Sequence, residues 1–145
     1  KEKVIRFLSK ADYQQWQNLT YDFSEEEGIP LHGDDEFRRL EYEKRAELKY
    51  RWGLLADTRL ISIASLNAQY KNMVLVGGVF TVKSERRKGL AKSCMRQLIA
   101  DCRRVHHLNK LILFPGENNF EGQGLYESIG FSRSGYFALI FGRHK

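Results

Sequence analysis

The sequence predicts an α/β fold, and three observations carry that prediction. Apolar spacing is helical before residue 53 and strand-like directly after it. Later in the chain, apolar runs and helical patterns alternate, as expected of elements layered on one sheet. With 145 residues, 42 % hydrophobic and 29 % charged, the chain has the size and composition of one domain with a packed core.

"KVIRFL" alternates and predicts a short first strand. "DYQQWQNLTYDFSEEE" places Tyr13, Trp16, Leu19 and Phe23 at helical spacing, with Asp12 as a candidate cap and Gly28 and Pro30 as the stop. "DDEFRRLEYEKRAELKYRWG" predicts a second helix, capped by Asp34 or Asp35 and stopped at Gly53. Phe37, Leu40 (with Glu41), Lys44, Leu48 and either Arg51 or Trp52 fall roughly on one side. "LLADTRLISIASL" reads as two strands around a tight turn, or as one strand with a bulge. In "KNMVLVGGVFTV", the most strand-like segment, Gly77-Gly78 predicts a bulge or a close backbone approach. Leu90, Ala91, Cys94, Met95, Leu98, Ile99 and Cys102 form an apolar helical stripe. "LNKLILF" is a buried strand, "PGENN" a turn, "FEGQGLYESIG" a short helix stopped by Gly130, and "GYFALIFG" a closing strand.

No run of eighteen apolar residues is present, and "KEKVIRFLSK" lacks the apolar stretch of a secretory leader. Cys94 and Cys102 lie about 12 Å apart along one helix at 1.5 Å per residue, beyond bridging distance. A reducing cytoplasm is the expected setting. His32, His106, His107 and His144 form no ligand-spaced set with the cysteines, so no metal site is expected. The net charge of +6 is uneven. Residues 11 to 37 contain no Lys or Arg but hold eight Asp and Glu, whereas sixteen Lys and Arg outnumber six Asp and Glu from residue 48 onward. This asymmetry argues for two sites with opposite charge preferences more than for nucleic acid.

"RRKGLA" (86–91) joins the glycine-containing strand to the striped helix. The first backbone N–H groups of a helix have no intrahelical partner and carry the positive end of its dipole. Gly89 lets a ligand approach the backbone, and Arg86, Arg87 and Lys88 surround it with charge. Such a joint suits a phosphate or pyrophosphate. The P-loop pattern is absent, and "EGQGLYESIG" lacks the third glycine of a dinucleotide fold at the right spacing.

"TVKSERRKGLA" closing a strand, followed by "NFEGQGLYESIGF", resembles the GCN5-related N-acetyltransferase (GNAT) family. The family's Arg/Gln-x-x-Gly-x-Gly/Ala signature is matched by Arg86, Gly89 and Ala91. Its later signature is matched by Asn119, Tyr126, Gly130 and Phe131. The likeness is strong over residues 72–141 and only an agreement in element order over 1–71. The resemblance implies a single domain over 1–145, with a mixed, mostly antiparallel sheet splayed between its fourth and fifth strands and flanked by about four helices. Acceptor-side helices would fall in 12–53 and an acetyl-CoA-binding core in 72–141.

The same resemblance implies transfer of an acetyl group from acetyl-CoA to a primary amine of a small molecule or peptide. It places Arg86, Arg87, Lys88, Gly89, Leu90 and Ala91 at the pyrophosphate. It places Val79, Phe80 and Thr81 along the pantetheine arm, Asn119 at that arm, and Tyr126 near the sulfur as general acid. A tyrosine of ordinary pKa about 10 is protonated at neutral pH and suits that task. The strand carries no carboxylate, so no general base is assigned. Glu25, Glu26 and Glu27, in the acidic window, are the candidate acceptor-binding groups, favouring a cationic amine. Two other readings remain: a non-catalytic acyl-CoA sensor, and a basic nucleic-acid binder. A monomer or homodimer is expected, with no membrane partner.

Overall fold

Strand β1 (Lys3–Phe7) pairs antiparallel with β2 (Arg51–Ala56), and β2 with β3 (Arg59–Tyr70). The computed structural model describes residues 2–71, 73–115, 119–133 and 137–140, with the side chains of Tyr70 and 137–140 excepted. β3 pairs antiparallel with β4 (Met73–Thr81), and β4 runs parallel to β5 (Lys110–Leu113). β7 (Phe137–Ile140) then pairs antiparallel with β5 and with a two-residue β6 (Ser132–Arg133). The sheet order among the described residues is β1-β2-β3-β4-β5-β7-β6. Much of the "PGENN" turn and both ends of "GYFALIFG" lie outside the described residues.

β4 and β5 stay paired only from Met73 to Leu75, opposite Lys110 to Ile112. Beyond Leu75, β4 continues along β3 alone, so its other edge has no strand partner among the described residues. This is the expected splay. The predicted bulge is also present. Ile63 faces Phe80 but Ser65 faces Gly77, which leaves one extra residue on β4. Gly78 takes up the irregularity with a positive φ of 61°, a conformation that costs a residue with a side chain about 1–2 kcal/mol.

Helix α1 (Tyr13–Glu27) buries Tyr13, Gln17 and Leu19 and ends on Gly28 in the left-handed conformation, as the spacing predicts. Asp12 precedes it but does not cap it through its side chain. Its carboxylate accepts instead from the Arg6 guanidinium, at 2.8 and 3.0 Å, and from the Ser9 N–H. Helix α2 (Asp35–Glu47) is capped by Asp34, which accepts from the Phe37 N–H at 2.9 Å.

The expected extent and face of α2 need correction. The helix stops at Glu47, Lys49 turns the chain with a φ of 63°, and Arg51 to Gly53 are strand. Phe37, Leu40 and Leu48 are exposed, whereas Tyr42 and Ala46 are buried. The i, i+4 pair Tyr42 and Ala46 docks α2, and the Tyr42 hydroxyl donates to the Ser9 carbonyl at 2.7 Å.

Helix α3 (Leu90–Arg104) covers the opposite face with its predicted stripe. Leu90, Cys94, Met95, Leu98 and Cys102 are all buried, and both cysteines are free. Helix α4 (Phe120–Ser128) completes that face. Among the described residues, no helix is long and apolar enough to cross a membrane.

Candidate active site

The open edge of β4 forms one wall of a cleft of about 640 Å³, within the usual range for small-molecule sites. Gly77, Gly78, Val79, Phe80 and Thr81 line it from β4. Gly89, Leu90, Ala91 and Lys92 line it from the start of α3. Leu113 and Phe114 line it from β5, Asn119 and Tyr126 from α4, and Phe23, Glu26 and Glu27 from the end of α1. Two sequence segments with the same implied ligand thus converge on one cavity, from opposite sides of the β4–β5 gap.

The joint between β4 and α3 is shaped for close backbone approach. Gly89 precedes α3 with a φ of 75°, and no atom stands within 4 Å of where its Cβ would lie. Among the described residues no side chain caps that helix start, so its N–H groups face outward. Arg87 is also left-handed, with φ 66°, a strained conformation for a residue with a side chain. Its guanidinium meets Glu121 of α4 at 3.3 Å across the cleft mouth.

The three cations of "RRKGLA" have three different settings. Arg86 is held in place: its Nε donates to the Thr81 carbonyl at 2.9 Å, and its Nη atoms donate to both oxygens of Glu26 at 2.8 and 3.1 Å. Its guanidinium also lies over the Phe80 ring, 5.1 Å from the centroid. That hydrogen-bonded contact holds the Glu26 carboxyl below its usual range. Lys88 turns aside to Glu85 at 2.9 Å and does not line the cleft. Arg87 lines the cavity, as does Lys92, which sequence reasoning missed. Lys92 lies three residues past Gly89, on the first turn of α3, and that offset was the available signal.

The acidic triplet also divides. Glu26 is tied to Arg86, Glu27 lines the cleft, and Glu25 faces a separate shallow pocket beside Asp22 and Lys83. Asn119 caps α4, accepting from the Gly122 N–H at 3.0 Å. A Cβ at 122 would stand 2.5 Å from the Asn119 amide, so glycine there permits this cap. Tyr126 is 6 % exposed and packs edge-on against Phe131 at 5.9 Å. Burial pushes its phenol up to about 12.

The sequence profile of the acetyltransferase (GNAT) family matches residues 12–131. The chain belongs to that family. Solved structures agree with its fold. The paia N-acetyltransferase of Thermoplasma acidophilum, in complex with coenzyme A, superposes with a TM-score of 0.76 at 14 % identity, over 97 % of this chain and 100 % of that one. The yncA protein of Salmonella typhimurium, solved with its cofactor acetyl-CoA, gives 0.79 at 19 % identity, over 99 % and 96 %. A GCN5-related N-acetyltransferase from Kribbella flavida gives 0.73 at 12 % identity over 90 % of this chain, which spans only 33 % of that longer protein. No curated protein matches this GNAT chain by sequence.

Proposed function

We propose that this GNAT domain transfers the acetyl group of acetyl-CoA to the primary amine of a small molecule or peptide. The observation that carries the reading is the convergence, in one cleft, of a strand edge and a helix start that, among the described residues, have no strand partner and no side-chain cap. The residues present fit an acyl-coenzyme A. The N–H groups of Gly89, Leu90 and Ala91 suit a pyrophosphate, with Arg87 and Lys92 as nearby charge and Lys88 as outer charge. Val79 and Phe80 offer backbone groups to an amide-bearing arm, and Asn119 borders the same space. The Thr81 carbonyl is taken by Arg86, so that pair shapes the loop.

Bound acetyl-CoA supplies a thioester carbonyl open to attack by a neutral amine, with a thiolate as leaving group. Tyr126 keeps its proton at neutral pH and is the donor assigned to that thiolate. A thiol ordinarily titrates near 8.5, below the raised phenol of Tyr126, so the proton is drawn across only as the carbon–sulfur bond breaks and negative charge builds on the sulfur.

Among the acidic residues of 11–37, Glu27 is the one assigned to the acceptor amine. Glu26 is committed to Arg86, Asp34 to its cap, and Asp35 to the Tyr13 hydroxyl. Acetyl-CoA-dependent thiol release, measured against polyamines, amino sugars, amino acids and peptides, tests the reading. Coenzyme A binding with no turnover of any amine would favour a sensor instead.

A further inference from the structure

The cleft has two ends of different chemistry. Beside the start of α3 stand the cations Arg87 and Lys92. The other end is the apex of the fork, where Leu75 of β4 and Ile112 of β5 are the last paired residues. From Leu75 to Thr81 the open edge of β4 runs about 20 Å at roughly 3.3 Å per residue. Phe114, two residues past Ile112, lines the cleft and is 66 % exposed. Ile29 lines the same cleft from the end of α1 and is 57 % exposed. Among the described residues, these are the two large apolar side chains of the lining that stay mainly in solvent. Ile29 is held there by its backbone. Its N–H donates to the Ser24 carbonyl at 3.1 Å and its carbonyl accepts from the Ser24 hydroxyl, directly after the left-handed Gly28. An apolar residue following such a helix end frequently packs back on its own helix. Ile29 instead lines the cleft.

Four carboxylates belong to the described lining, and three are engaged by cations. Glu26 is committed to Arg86, Glu85 to Lys88 and Arg59, and Glu121 to Arg87. Glu27, two residues before Ile29, forms no ion pair among the described residues. The acceptor side therefore offers one negative charge and an uncovered apolar wall. A polyamine would bring several charges to that single carboxylate. An amino sugar would bring hydroxyls that the Ile29 and Phe114 side chains cannot bond, and polar groups covered without partners are costly. One cation joined to hydrocarbon suits both features. Apolar side chains gathered uncovered in a cleft are the usual mark of a ligand surface.

We infer that the acceptor is a monoamine with an apolar body, an alkylamine or arylalkylamine. Glu27 meets its ammonium group on binding, and Ile29 and Phe114 cover its hydrocarbon. This class is narrower than the acidic window of residues 11–37 suggests by itself, because the structure leaves one carboxylate of the triplet at this place. The inference rests on the acetyltransferase reading above.

The test follows acetyl transfer, and calorimetric binding to the coenzyme A-loaded protein, with primary n-alkylamines of rising length, a phenylalkylamine and spermidine. Each methylene that the cleft covers is expected to improve binding and kcat/KM about three- to fourfold until the wall is filled. Phe114→Ser and Ile29→Ser, at exposed positions that the fold should tolerate, are expected to flatten that dependence with KM for acetyl-CoA little changed. Glu27→Gln should weaken all the amines together and leave the length dependence in place. A flat response to chain length, a preference for spermidine, or a length dependence unchanged in both serine variants overturns the inference, and any turnover seen leaves the acetyltransferase reading standing. A KM for acetyl-CoA that rises in Phe114→Ser as much as the KM for the amine assigns the wall to the cofactor arm and overturns it too. Length-dependent binding that needs Ile29 and Phe114 upholds it even where no acetyl group is transferred, an outcome that would defeat the acetyltransferase reading alone.

Discussion

Against one face of the sheet, α3 and α4 lay Leu90, Cys94, Met95, Leu98, Cys102 and Tyr126; against the other, α1 and α2 lay Tyr13, Trp16, Gln17 and Tyr42 around Arg51. The α3 face is almost wholly apolar, with Asp101 as its main buried charge. The α1–α2 face buries several polar groups, and among the described residues the Trp16 indole N–H and the Nε groups of Arg38 and Arg51 have no acceptor there. The first face is closed by apolar burial, and it presents the helix start that lines the cleft. The second carries the larger share of buried polar groups.

The sharpest way to break this comparison is a core truncation on each side. Leu98→Ala removes a fully buried side chain from the α3 face and is expected to cost about 2–5 kcal/mol. Arg51→Met, at a largely buried position on the other face, is expected to cost nothing or to stabilise. Chemical denaturation of both variants measures the difference. If Arg51→Met destabilises as much as Leu98→Ala, the two faces are built on the same terms and the contrast fails.

Tyr126→Phe separates chemistry from packing on the α3 face. The ring keeps its edge-on contact with Phe131, so the loss of stability should be small beside the loss of turnover. With Tyr126 as the proposed proton donor, its loss is expected to lower kcat about 10²-fold with KM for acetyl-CoA little changed. Turnover that survives unchanged from pH 7 to 9 would remove Tyr126 from the chemistry and leave it a packing residue.

These contrasts mirror what the sequence makes legible. The α3 stripe can be read because one apolar side repeats at helical spacing over the whole helix, and the strand–glycine–helix joint because few structures need that pattern. The bulge follows from Gly77-Gly78 for the same reason. The α2 face misleads, because Phe37, Leu40 and Leu48 have core-like spacing yet stay in solvent. The helix docks instead through Tyr42 and Ala46, which nothing local distinguishes. Its end is hidden too, since Lys49 adopts the left-handed turn usually given to glycine. Arg51, stacked on the Trp16 and Tyr42 rings and donating to the Ser65 hydroxyl, draws on four elements, so no local pattern records its setting.

A smaller effect sharpens the one charged exception on the apolar face. Burial works to raise the Asp101 carboxyl, but hydrogen bonds from Trp52, at 2.8 Å, Gln97 and Arg104 outweigh it and hold it below the usual value. A carboxyl lowered in the folded state adds stability above its unfolded value, near pH 4, and that stability is lost as pH falls through the folded value. Asp101→Asn is expected to cost about 1–3 kcal/mol at pH 7 and to flatten the loss of stability on acidification below pH 4. Melting curves across pH 3 to 7 that run parallel for both proteins would show that Asp101 does not carry that dependence.

The smallest stability effect is expected where the two faces are joined. Glu26 on α1 and Arg86 after β4 form a bidentate pair, and Arg86 in turn holds the Thr81 carbonyl and covers Phe80, whose edge meets Phe23 of α1. Both partners are partly exposed, so the pair itself is worth less than about 1 kcal/mol, and Glu26→Gln should barely move the melting temperature. Its functional effect should be larger, because it frees Arg86 and loosens the loop that leads to Gly89. KM for acetyl-CoA is expected to rise several-fold in Glu26→Gln, and the double exchange Glu26→Arg with Arg86→Glu should recover part of it. A KM that rises for the amine alone would place Glu26 in acceptor binding rather than in holding the loop. The two faces would then meet at the substrate and not through this pair.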